Sequence, residues 1–373
     1  MQTLNNNEKA IQIKNVLSHY QLGELVNYTQ NTRGCVNLSF AIQTLNHNKI
    51  TSYFLRQYKI GIVEEELLFE HSLINHICEV GQPVVARVHP TREGKTYVMQ
   101  PNPALPEQTI FYAIFDFLPG EDKYTWVDPH CTPKELVASA QVLAQYHQAV
   151  WNFSPFGFRR EPRIAQFLEQ IKNNLHTCIS QPHLETVQEI IQPHLTFLDQ
   201  KMEELIKLFH SPEFQTLPQL IIHCDFHPGN LKFQDENVVG LFDLDWAKLD
   251  YRLFDVALAI YYFCTEWEGI RDGELRLDEA AYFIASYQTA LQNAGKVPQL
   301  SVNEKTLLNQ FIEAANLYVL NWSIEDILHK KVILEEYIPY ILHGVHSAIW
   351  LADPKHQQEI SQLAETTPQI PPL

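Results

Sequence analysis

Asp225, Asn230 and Asp243 are the residues whose types and spacing could do chemistry. They fall within IIHCDFHPGNLKFQDENVVGLFDLDWA, residues 221–247, where two apolar runs each end on bare polar groups. A carboxylate beside a carboxamide oxygen is hard-ligand chemistry that suits Mg²⁺, an ion that takes oxygen ligands and keeps waters for phosphate groups. If Glu236 and Asn237 form the two-residue turn of a hairpin, Asn230 stands across from Asp243, within reach of one ion. Pro228 and Gly229 force the preceding loop to turn. Asp225, five residues before Asn230, can then lie near the ion without being consumed as a ligand. His223, Cys224 and His227 could instead suggest zinc. The apolar strand before them and the Pro-Gly after them deny the helix that a four-residue His spacing needs. His227 therefore reads as a residue that fixes the loop, and Cys224 as a small core group.

These groups need elements to hold them. LSFAIQTL (38–45) and TSYFLRQY (51–58) are β-rich and joined by NHNK, a hairpin signal. EEELLFEHSLINHI (64–77) has helical apolar spacing and acids in its first turn. KTYVMQ and TIFYAIFDF read as a second strand pair, after which Pro119-Gly120 breaks the chain. Helical patterns dominate beyond it, over 132–151, 165–177, 184–209, 278–294 and 303–351. The expected architecture is α+β, with a small antiparallel-sheet lobe over residues 1–116 and a large helical lobe over 117–373 that carries an inserted β-hairpin.

Composition narrows the classes. With 373 residues, 45% hydrophobic and 19% charged, the chain is an ordinary globular protein long enough for two lobes. A net charge of −17 argues against a nucleic-acid partner, which would call for a basic footprint, and is compatible with a cationic small molecule. No apolar run approaches a membrane span and the N-terminus lacks a signal-peptide core, so no membrane partner is expected. Six scattered cysteines without a C-x-x-C pair suit reduced thiols and a cytoplasmic setting.

The run H-x-D-x-H-P-x-N, followed by a hairpin and F-D-x-D-W-A, resembles the aminoglycoside phosphotransferase, choline kinase and homoserine kinase superfamily, small-molecule kinases with a protein-kinase-like two-lobe fold. The resemblance runs from about residue 30 to 290. It implies ATP-dependent transfer of a phosphate to the hydroxyl of a small molecule, with Mg²⁺. Asp225 would match the catalytic Asp, Asn230 and Asp243 the metal ligands, and Asp255 an acid that buttresses the catalytic loop, with His223 behind it. Gly34 and Asn37 look like a short nucleotide loop, although it has a single glycine. Arg56, with Lys59 as rival, occupies the place of the phosphate-contacting base, and Glu70 that of its acidic partner. FDFLPG resembles the lobe connector, where backbone groups of Asp116 and Leu118 would hold adenine. FLPG and AAYFIASYQTAL look closest to the homoserine-kinase-like branch.

On the acceptor side the candidates are His227, Asp245 as a second metal contact or an exposed acid, and Glu266 and Trp267 in TEWEG, where acids flank an indole suited to a cation. A catalytically silent nucleotide-binding protein is the alternative, and the presence of Asp225, Asn230 and Asp243 together argues against it. A protein kinase is disfavoured because no A-P-E segment precedes the later helices.

Overall fold

The computed structural model describes residues 6–31, 36–102, 105–329 and 332–365. They form two units: one up to Pro119 together with Pro155–Arg159, and one made of Gly120–Ser154 and the residues from Arg160 onward.

In the first unit, α1 (Asn6–Leu17) precedes β1 (Glu24–Asn31), β2 (Leu38–Asn46) and β3 (Lys49–Gln57). Next come α2 (Glu64–Val80), β4 (Val98–Pro101) and β5 (Thr109–Asp116). The sheet is antiparallel throughout, in the order β1-β2-β3-β5-β4. β2 and β3 join through His47 and Asn48, both at positive φ (47° and 61°). That backbone matches the right-handed twist of the two strands, and asparagine tolerates it well. Ile13, Val16 and Leu17 of α1 pack with Phe40, Ile42, Leu55, Tyr112 and Ile114 from one face of the sheet. This N-terminal helix was hidden in the sequence by its polar flanks. α2 starts with Glu64, Glu65 and Glu66 against its positive dipole end and stops at Gly81, whose φ of 86° favours glycine. Pro155–Arg159 lies along α2: the Phe158 N–H donates to the Glu65 carbonyl (3.3 Å) and the Phe156 N–H to Ser72 Oγ (2.9 Å).

The second unit is largely helical. α3 (Pro133–Val150) begins with a reciprocal cap between Thr132 and Glu135. α4 is Ile164–Ile179, and the helix expected over 184–209 is broken into α5 (Glu185–Ile191) and α6 (Leu195–Phe209). Pro193, which lacks a backbone N–H, lies in the single 3₁₀ turn between them. After α7 (Pro212–Gln215) come β6 (Gln219–Ile222), β7 (Leu231–Gln234), β8 (Asn237–Leu241) and β9 (Lys248–Tyr251). α8 (Arg252–Cys264) and α9 (Leu277–Ala294) follow. The single pattern read over 303–351 is three helices, α10 (Val302–Thr306), α11 (Leu308–Leu328) and α12 (Leu334–Leu351), before α13 (Pro354–Leu363). No helix among the described residues is long and apolar enough to cross a membrane.

The hairpin differs in register from the sequence expectation. Gln234 pairs with Asn237, so the turn is Asp235-Glu236, with Asp235 at φ 55°. Lys232 pairs with Gly240 and Phe233 with Val238, which leaves Val239 as a one-residue bulge. Asn230 therefore lies across from Phe242, whose N–H donates to the Asn230 carbonyl (3.2 Å), and Asp243 stands one residue further on. A turn shifted by one residue and a bulge are both invisible to a pairing count made from sequence. β6 pairs with β9, a strand the sequence did not reveal.

Candidate active site

β6 delivers the chain into a loop whose shape is set from a distance. Asp255, fully buried in the first turn of α8, accepts the His223 N–H (2.8 Å) and the Cys224 N–H (2.9 Å). It also accepts His147 Nε2–H from α3 (3.0 Å), and His147 Nδ1 accepts the Tyr287 hydroxyl of α9 (2.7 Å). Burial opposes the charge on Asp255. The His147 bond, the nearby imidazoles and the backbone N–H outweigh it and hold the carboxyl below its ordinary value. Burial pushes His147 down, so this imidazole is neutral. The two-amide grip accommodates Cys224 at φ 64°, a left-handed backbone that costs a non-glycine residue about 1 kcal/mol or more.

Asp225 follows directly. Its N–H donates to His223 Nδ1 (3.3 Å), and His223 Nε2–H donates to the Phe242 carbonyl (3.1 Å). Both ring nitrogens of His223 are thus engaged, which removes it from metal chemistry. Asn230 Nδ2 donates to the Asp225 carbonyl (2.9 Å) and to Asp225 Oδ2 (2.9 Å). His227 Nε2 lies 3.6 Å from the same Oδ2. Unlike Asp255, Asp225 is partly exposed.

With its amide nitrogen committed to Asp225, Asn230 has its carbonyl oxygen to offer a cation. Asp243 sits at φ 66°, ψ 57°, a strained conformation of the kind found at functional positions. Asp245 lies in the single 3₁₀ turn Leu244–Trp246 that follows. Among the described residues no three His, Cys, Asp or Glu side chains cluster as a self-sufficient metal site. One amide oxygen and one carboxylate fit Mg²⁺, which draws its remaining ligands from water and phosphate.

In the first unit, Arg56 on β3 and Glu70 on α2 meet at 3.1 Å, 8% and 1% exposed. The Tyr58 hydroxyl bonds Glu70 Oε2 (3.0 Å) and His71 Nε2 (3.0 Å), and His71 Nδ1 meets Thr96 Oγ1 (2.7 Å). Burial, then the charges of Arg56 and Arg159, lower His71 to about 3. Lys59 is exposed, and its N–H donates to Asn37 Oδ1 (3.0 Å). The Asp116 N–H donates to the Arg87 carbonyl (2.9 Å), and its carboxylate accepts from His89 Nε2–H (2.7 Å). Leu118 is 9% exposed. Gly34 lies outside the described residues.

Glu266 is surrounded by Arg276 Nη1 at 3.5 Å, His130 Nε2 at 3.8 Å and Arg271 Nη1 at 3.9 Å, so its charge already has protein partners. Trp267 is buried among rings, with His343 stacked on it at 3.8 Å and Trp126 edge-on at 5.2 Å. Tyr262, Asp272 and His343 were missed in the sequence. Tyr262 carried a usable signal, since it lies seven residues after Asp255 and two turns later on the same helix face.

A loop braced by a buried acid, an Asp-Asn contact and an Asp just beyond a hairpin follow the order of groups described for phosphoryl-transfer enzymes. The chain belongs to the phosphotransferase enzyme family, whose model matches residues 27–289, and it is a small-molecule kinase. A homoserine kinase from Afipia carboxidovorans is 27% identical over 329 residues, covering 86% of this chain and 85% of the relative. Among solved structures, a microcompartment-associated aminopropanol kinase matches with TM-score 0.62 at 14% identity, covering 95% of this chain and 99% of that one. The amicoumacin kinase hAmiN in complex with AMP-PNP, Ca²⁺ and Ami matches with TM-score 0.61 at 13% identity, covering 99% and 96%. At such identities these two likenesses concern the fold.

Proposed function

We propose that the chain transfers the γ-phosphate of ATP to the hydroxyl of a small amino alcohol or hydroxy amino acid, homoserine being the first acceptor to test. The observation that carries this reading is the presentation of Asp225. Its backbone is fixed through Asp255, and its carboxylate is oriented by Asn230 Nδ2 at 2.9 Å while part of it stays open to a ligand. The homoserine kinase relative and the aminopropanol kinase fold support the choice of acceptor. The nucleotide and divalent cation named for the amicoumacin kinase support ATP and a metal.

In the step we infer, the acceptor oxygen bonds to the γ-phosphorus as the bond to the ADP oxygen breaks, and the hydroxyl proton passes to Asp225. A carboxylate here acts by orienting the hydroxyl as much as by basicity. Asn230 Oδ1 and the Asp243 carboxylate would hold Mg²⁺, which when bound supplies charge neutralisation for the phosphates. Asp245 would stand near them. Arg56, fixed by Glu70, would face phosphate oxygens. Gly34, Asn37 and backbone groups of Asp116 and Leu118 would complete the nucleotide site. The first unit then carries the nucleotide contacts and the second the catalytic and acceptor-binding groups, in a protein of the cytoplasm.

Asp225→Asn preserves size and much of the hydrogen bonding but removes the charge. Single-turnover phosphoryl transfer to homoserine is expected to fall roughly 10²-fold or more with ATP affinity nearly unchanged. Normal turnover together with a lowered melting temperature would reduce Asp225 to a structural residue. Asp243→Ala should abolish Mg²⁺-dependent ATP turnover in a protein that still folds, and Asn230→Ala should lower it more mildly. Unaltered Mg²⁺ titrations in both would remove the metal assignment.

A further inference from the structure

A line of rings leads away from Asp225. His227 Nε2 lies 3.6 Å from Asp225 Oδ2, and the Tyr262 ring meets the His227 ring at 5.3 Å. The Trp267 ring lies nearly parallel to that of Tyr262 (15°, centroids 6.4 Å apart), and His343 of α12 stacks on Trp267. Behind His343, Asp272 accepts Nδ1–H at 2.7 Å and also His346 Nδ1–H at 2.8 Å. Gly273 brings this loop against α12 so closely that a Cβ there would lie 2.6 Å from the Ser347 nitrogen. Burial keeps the His343 imidazole below its ordinary value, against the pull of Asp272.

The hydrogen-bond inventory at the end of this line does not close. Trp267 Nε1, His343 Nε2 and Thr265 Oγ1 are buried and find no partner among the described residues, although their residues are 7%, 1% and 1% exposed. Native proteins pair nearly all buried polar groups, because one left unpaired has given up its hydration for nothing. Two such atoms on stacked rings, with a third on Thr265 two residues before Trp267, therefore call for a partner. Their chemistry describes it. Indole Nε1–H can only donate. Because Nδ1–H of His343 goes to Asp272, its Nε2 is a bare acceptor. The hydroxyl of Thr265 can do either.

We propose that Trp267, His343 and Thr265 form the subsite that reads the amino end of the acceptor: an N–H of a primary ammonium donates to His343 Nε2, and an oxygen of the same molecule accepts from Trp267 Nε1. Asp272 is a positioning residue that fixes the His343 tautomer. A quaternary ammonium fits the aromatic surroundings but has no N–H to give, so the site selects primary amino alcohols and hydroxy amino acids over choline-like compounds. This rests on the phosphotransferase reading above and adds to it the residues and the group they recognise.

The test needs no variant at first. Calorimetric binding and ATP consumption are compared for homoserine, 1-amino-2-propanol and choline. The expected result is binding and kcat/KM at least tenfold better for a primary amine than for choline. Equal values would overturn the subsite. Trp267→Phe, which keeps the ring and removes the donor, should raise the acceptor KM roughly tenfold with the ATP KM unchanged. His343→Phe should do the same, and His343→Gln, which restores an acceptor atom, should recover part of the loss. Lower melting temperatures with an unchanged acceptor KM would mean that internal waters fill the place, and the proposal would fall. If a primary amine binds selectively but no acceptor is phosphorylated, the subsite stands and the kinase reading fails.

Discussion

Asp255 in the second unit and Glu70 in the first are both buried carboxylates, 0% and 1% exposed, and the two are satisfied in opposite ways. Asp255 takes two successive main-chain N–H groups and a neutral imidazole, with no formal cation in direct contact among the described residues. Glu70 takes a guanidinium and a phenol hydroxyl. A carboxylate bound to amides fixes the path of a backbone, whatever side chains the loop carries. One bound to a cation fixes where a positive charge stands. The first device shapes the loop that presents Asp225; the second holds Arg56 in place.

Substitutions should separate the two, beginning with the largest effect. Asp255→Asn puts an NH₂ group against N–H donors and is expected to cost about 3 kcal/mol, the scale for breaking a buried charged network. Because the folded carboxyl titrates below its unfolded value, its contribution is present above that value, about pH 4, and is lost as pH falls through the folded one. Urea unfolding should show the variant less stable at neutral pH, with the gap narrowing in acid. A gap that stays constant with pH would mean that Asp255 is not charged in the native protein. Glu70→Gln removes the charge that holds Arg56. It should raise the ATP KM about tenfold while acceptor binding is kept; an unchanged ATP KM would detach Arg56 from the phosphates. Tyr58→Phe is the gentlest probe. Loss of one hydroxyl to Glu70 should weaken ATP binding only a few-fold and lower stability by about 1 kcal/mol. If it matches Glu70→Gln in full, the hydroxyl contributes as much to the placement of Arg56 as the carboxylate charge does.

Much of this was legible from local pattern. The β2–β3 turn, α2, α3 and α9 follow from turn residues and apolar spacing, and the chemistry-bearing Asp225, Asn230 and Asp243 lie within nineteen positions of one another. What escaped depends on long-range or single-residue events. Pro193 divided an otherwise continuous helical pattern, and the bulge at Val239 moved Asn230 opposite Phe242. β9 is recognisable only by its pairing with β6. Asp272 and His343 are 71 residues apart and join only when the loop meets α12. Trp267 was noticed for its acidic neighbours, yet Glu266 turned out to be matched by arginines and the informative atom is the indole nitrogen.

The line from Thr96 to Glu70 has a consequence of its own, because its hydrogens can run in only one direction. A carboxylate accepts, so Tyr58 must donate to Glu70 and therefore accepts from His71 Nε2. His71 is neutral, so its Nδ1 carries no hydrogen and Thr96 must donate to it. Reversing any link would require a proton on Glu70, beside a guanidinium that repels it. The row of groups thus behaves as a polarised dipole chain, each member turned toward Glu70 by the next. A threonine at the far end helps keep the negative charge there pinned through two intermediaries.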